Sequence, residues 1–169
     1  MKNITLLIAS LLILVVCASC GGGGGSPGAD PQPAPSVNSG PTSKSYLLSL
    51  QGSVESGQAT GLQFEVTLPA GVELALDSQD QTVLPASLAL SASAASGALM
   101  QGRVASGVLT VALVSVSGLA KGPFASISAT IPAGASAPSA SAFRVANLQA
   151  IDSNGNPLSG VSVAVVDPP

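Results

Sequence analysis

"LQFEVTL", residues 62–68, is the stretch on which the fold turns. Leu62, Phe64, Val66 and Leu68 fall on one side of an extended chain, and Gln63, Glu65 and Thr67 on the other. A period of two is the pattern of a strand with one buried face and one wet face.

The same period spreads outward from there. "YLLSLQGSV" (46–54) sets Tyr46, Leu48, Leu50 and Val54 on one face, and "VSVAVV" (161–166) closes the chain. "FASISATI" (124–131) alternates Phe124, Ser126, Ser128 and Thr130 against Ala125, Ile127, Ala129 and Ile131. "VLTVALVSV" (108–116) is apolar on both faces and β-branched, which predicts a central strand. Residues 85–99, "PASLALSASAASGAL", read equally as strand or short helix, because Ala and Leu suit both.

Turn chemistry separates these runs. "LPAGV" (68–72) and "IPAGA" (131–135) each place Pro and then Gly after a strand, where the ladder stops. "IDSNGNPLSG" (151–160) carries Asn-Gly between two apolar runs, a hairpin signal. About eight or nine short strands punctuated in this way predict an all-β sandwich over 45–169.

Composition narrows the function. The chain has 169 residues, a net charge of −3, 8% charged and 2% aromatic residues, and neither His nor Trp. Lys2, Lys44, Arg103, Lys121 and Arg144 are scattered, so no basic patch exists to neutralise phosphates and no nucleic acid is expected. A composition rich in Ala, Ser, Gly and Val and poor in charge suits an extracellular β domain better than a cytosolic enzyme.

The serines lack a His to act as base, and a Ser-Lys alternative needs Lys44 or Lys121 buried, whereas both read as solvated. Glu65, Glu73, Asp77 and Asp80 offer carboxylates but nothing marks a cleft, so the chain is read as not an enzyme. Asp152, Asn154 and Asn156 have the opening spacing of a calcium loop. Pro157 and Val163 stand where that loop needs Gly and an acidic ligand, so a turn is expected there, with no metal and no cofactor. Sugar stacking needs exposed rings. Phe64 reads as core and Phe124 and Phe143 lie in strand-like runs, leaving Tyr46 as the exposed candidate.

The first residues read as an address. Met1-Lys2-Asn3 precedes "ITLLIASLLILVV" (4–16), a run that spans about 20 Å as a helix, short of the roughly 30 Å of a bilayer core. The length suits the apolar part of a signal peptide. With Ala18 and Ser19 before Cys20, the run resembles the bacterial lipoprotein signal. That likeness implies a signal peptide over 1–19, a diacylglycerol on Cys20 and, with Gly21 following, an outer-membrane location in the cell envelope. Cys17 departs from the pattern, standing where Leu or Val is usual. Cys17-Ala18-Ser19-Cys20 lacks the βαβ context of a redox motif. Nor do the glycines after it sit between a strand and a helix as a phosphate loop requires. Residues 20–44, rich in Gly, Pro and Ser, bury too little to offset the entropy of ordering and are expected to be a disordered tether.

Three stretches together resemble the cohesin family, whose β-sandwich modules bind dockerin partners. They are "GLQFEVTLPAGVEL" (61–74), "GLAKGPFASISATI" (118–131) and "VANLQAIDSNGNPLSGVSVAV" (145–165). The resemblance implies a cohesin-like jelly-roll sandwich, with the family's first edge strand absent or reduced to "SYLLSL". By position it maps the partner-binding face onto Gln63, Met100 and Lys121. The superfamily also contains carbohydrate-binding modules, so it implies either a dockerin-like protein partner or a polysaccharide. A structural part in an envelope assembly is the third expectation.

Overall fold

The computed structural model describes residues 40–53, 55 and 57–169. The expected signal peptide, Cys20 and the tether as far as residue 39 lie outside the described residues, as does Val54. Eight strands follow: β1 Thr42–Gly52, β2 Ala59–Thr67, β3 Leu88–Leu90, β4 Ala98–Ala105, β5 Val108–Leu119, β6 Gly122–Ile131, β7 Arg144–Ile151 and β8 Val161–Val166. The first strand begins at Thr42, so the end of the stretch assigned to the tether is already sheet.

The strands form two four-stranded antiparallel sheets, in the orders β3-β6-β1-β8 (sheet I) and β4-β5-β2-β7 (sheet II). Strand β1 pairs with β8, β2 with β7, β3 with β6 and β4 with β5. This nested pairing is that of a strip rolled on itself, the jelly-roll form of a β-sandwich.

Only β4 and β5 are joined within one sheet. Their turn, Ser106-Gly107, has φ of 51° and 77°, both left-handed, as a two-residue hairpin of matching twist requires. Every other link crosses between sheets, including 152–160. The Asn-Gly stretch expected to close a hairpin therefore bridges two sheets, because β7 and β8 belong to different layers.

The alternation in β2 holds: Leu62, Phe64 and Val66 are buried and Gln63 and Thr67 exposed. Phe64 meets Phe124 of the facing sheet edge-on, with ring centroids 6.3 Å apart. The alternation in β6 breaks at one point. Leu48 pairs with Ala125 but Ser49 pairs with Pro123, so Phe124 is an extra residue and turns inward beside Ala125. Gly102 on β4 also faces the core, where a Cβ would stand 2.5 Å from Leu88 Cδ2. Residues 85–99 divide into β3, a turn over 91–97 and the start of β4.

Tyr46, the ring expected to be exposed, is fully buried, 4.5 Å from the Phe143 ring centroid. Its hydroxyl donates to the Pro138 carbonyl oxygen at 2.8 Å, which satisfies the polar end of a ring enclosed in the core. Lys44, expected to be solvated, forms an ion pair of 2.9 Å with Asp167 and donates to the same Pro138 oxygen at 3.1 Å. Its ammonium lies 4.9 Å from the Tyr46 ring centroid.

Candidate binding face

The outer face of sheet II is ordered in rows, because directly paired residues on neighbouring strands point the same way. One row runs Leu99, Val114, Gly61, Ile151 across β4, β5, β2 and β7. The next runs Gln101, Ala112, Gln63, Gln149. A third begins Arg103, Thr110, Glu65. Beside Glu65, β7 carries an extra residue. Asn147 adopts a left-handed φ of 53° and donates from Nδ2 to Glu65 Oε2 at 2.7 Å.

The face thus grades from apolar through amide to charged. At its apolar end Leu99 is 81% exposed, Val116 84%, Val114 61% and Ile151 41%. Gly61 has no side chain, and Ile151 leans over it, its Cγ1 2.7 Å from where a Cβ would stand. Beside them a depression of about 210 Å³ has Gly61, Gln63, Ala112, Val114, Gln149 and Ile151 among its lining residues.

Strand β5 is central in its sheet but wet on one side. Its central place is the one expected from the sequence, and its two faces differ: Leu109, Val111 and Leu113 are buried, whereas Ala112, Val114 and Val116 face solvent. Apolar residues on both faces cannot by themselves tell a doubly covered strand from one with an exposed apolar face.

The three residues mapped from the cohesin resemblance do not come together. Gln63 lies on the outer face, in the middle of the amide row. Met100 pairs with Leu113 on the inner side and packs against the core, so it points away from Gln63. Successive side chains of a strand alternate, and Leu99 and Gln101 take the outward places beside it. Lys121 is exposed in the link between β5 and β6.

The other polar cluster is self-contained. Asp152 Oδ1 accepts from the backbone N–H groups of Asn154 and Asn156, each at 2.8 Å, and Oδ2 accepts from Asn156 Nδ2 at 3.1 Å. The Asn156 bonds, backbone first, hold this carboxyl below the ordinary carboxylate range. Among the described residues no three His, Cys, Asp or Glu side chains gather closely enough to hold a metal ion. No helix among them is long and apolar enough to cross a membrane.

No family model, no curated protein and no solved structure matches the chain.

Proposed function

We propose that this chain is a lipid-anchored protein of the cell envelope that works by binding. Acylated Cys20 holds it in the membrane, residues 20–41 form a tether, and a cohesin-like sandwich presents the outer face of sheet II to a protein partner. The anchor rests on residues 1–20, where a short apolar run and two small residues precede a cysteine. The recognition rests on one observation: Leu99, Val114, Val116 and Ile151 stand in water at one end of the outer face of sheet II, Val114 and Ile151 beside the depression at Gly61. Each loses free energy of about 25 cal/mol per Å² of apolar surface left wet. Neighbouring exposed apolar side chains on one sheet face support a binding role for that face.

A protein partner suits the face better than a sugar. All four aromatic rings of the chain, Tyr46, Phe64, Phe124 and Phe143, are buried, so stacking on pyranose rings has no platform here. The apolar-to-charged grading fits an interface with a dry centre and a polar rim. A dockerin-type module is the partner that the cohesin resemblance implies.

Two assays separate the readings. Full-length protein purified from membranes in detergent is tested against a polysaccharide panel and by co-purification with envelope proteins. Leu99→Lys with Val114→Lys should abolish partner co-purification. Binding to a polysaccharide that survives this double change would transfer the function to the carbohydrate reading.

A further inference from the structure

A sandwich of two open sheets has four edges, and three are protected here. Strand β3 has only three residues, and beyond it Glu73 exchanges backbone bonds of 3.0 and 2.8 Å with Thr130 of β6. Strand β4 is covered by Gln81–Val83: Val83 N–H donates to the Gly102 carbonyl at 2.8 Å and Val104 N–H to Gln81 at 3.1 Å. Strand β7 carries the Asn147 irregularity, and Leu158 N–H caps the Ala150 carbonyl at 2.8 Å. Short strands, bulges and covering loops are the ordinary defences of a sheet edge.

Strand β8 has no backbone cover along its ladder; the 3₁₀ turn Ala140–Ala142 packs beside it, and Ala140 N–H donates to Asp167 Oδ2 at 3.3 Å just past its end. It runs from Val161 to Val166 in unbroken register with β1, without charge, Pro or Gly. Among the described residues its backbone has no partner on the other side. Six uncharged, mostly β-branched residues on an open edge are a template for another strand.

The phase of that edge follows from one bond. Ser53 N–H donates to the Gly160 carbonyl at 2.9 Å, extending the β1–β8 ladder by one bonded pair beyond Gly52 and Val161. Bonded and non-bonded pairs alternate along an antiparallel ladder. Ser162, Ala164 and Val166 therefore bond to β1, while Val161, Val163 and Val165 aim their N–H and C=O groups at the open side.

We infer that β8 pairs antiparallel with β8 of a second copy of this chain, forming a two-fold dimer with one continuous eight-stranded sheet. The outward-aimed positions match themselves: Val163 sits opposite its own copy, and Val161 opposite Val165. About six backbone hydrogen bonds follow from three bonded pairs. Asp167 falls opposite Ser159 of the copy, so no like charges meet, and Pro168 and Pro169 end the ladder by lacking N–H groups. Two-fold pairing also closes, using up the edge that would otherwise propagate. Its axis is perpendicular to the sheet, so the two sheet II faces point the same way and are available together to one partner surface.

The test is sedimentation of the full chain in detergent, with amide hydrogen exchange read at β8. The expected result is a dimer in which Val163 and Val165 exchange slowly. Ser162→Lys, which places a charge on the edge, and Val163→Pro, which removes an outward-aimed N–H but no bond to β1, should each halve the sedimenting mass. In both variants Ala164 and Val166 should stay protected, reporting an intact fold. Leu99→Lys should leave the dimer unchanged, which separates this edge from the recognition face. A monomer at every concentration, an open-ended oligomer, or a dimer that survives both edge variants would overturn the inference, the last by showing that the copies meet elsewhere.

Discussion

Gly61 and Ile151 stand opposite each other on β2 and β7, and a Cβ placed on Gly61 would lie 2.7 Å from Ile151 Cγ1. Ile151 leans into the place that the missing side chain leaves, with its Cδ1 2.9 Å from the same point. Cγ1 of a β-branched residue moves only by turning χ1. Gly61→Ala should therefore push Ile151 aside, at a cost of about 1–3 kcal/mol. Partner co-purification should fall, and the urea midpoint should drop with it.

Gly102 is crowded from the inside of the sandwich. Its Cβ would meet Leu88 Cδ2 at 2.5 Å and Leu109 Cδ1 at 3.0 Å inside the sandwich. Gly102→Ala overpacks a core that has no free side to relax into, and should cost about 1–3 kcal/mol. Urea unfolding would show the loss as a lower midpoint with an unchanged slope.

Lys44 and Asp167 tie the start of the first strand to the chain after the last. The bond to Asp167 raises the Lys44 pKa, and the bond from Lys44 holds the Asp167 carboxyl below its ordinary range. A lowered carboxyl pKa stabilises above the unfolded value of about 3.9, and that contribution is lost as pH falls through the folded value. A raised amine pKa stabilises below about 10.4, and its share is lost as pH rises through the higher folded value. Between those limits stability should not vary with pH on account of this pair. Both groups are partly exposed, so the effect is small and screened by salt. Carboxyl-carbon NMR should place the Asp167 midpoint below the ordinary one, and Lys44→Met should return it upward.

Cys20→Ser should move the protein from the membrane fraction to the soluble fraction. Mass spectrometry of the native N-terminus should show a mature chain beginning at an acylated Cys20. Retention of the substituted protein in the membrane would contradict the anchor.

Where side chains alternate cleanly, the sequence was sufficient to read the fold. "LQFEVTL" shows its buried and exposed faces directly, and the Pro-Ala-Gly turns follow strands as turn chemistry requires. Two features escaped for physical reasons. The inward turn of Phe124 comes from one extra residue in β6, which shifts the phase of a pattern without changing its composition. The exposed row escaped because Val114 and Val116 look like core residues in a string. Only the strand order, with β5 facing solvent on one side, reveals them. Met100 was placed with Gln63 by resemblance, while the pleat sends the two in opposite directions. Periodicity reports which residues share a face, and tertiary packing decides which face is covered.

The most direct test of the recognition face is site-specific photo-crosslinking in cells that carry the native envelope. A photoreactive residue at Val114, on the outer face of sheet II, is compared with one at Ser126, on the outer face of sheet I. The account predicts a discrete protein adduct from position 114 that disappears with Gln63→Lys, and none from 126. Equal labelling from both positions, or no adduct from 114, would contradict it.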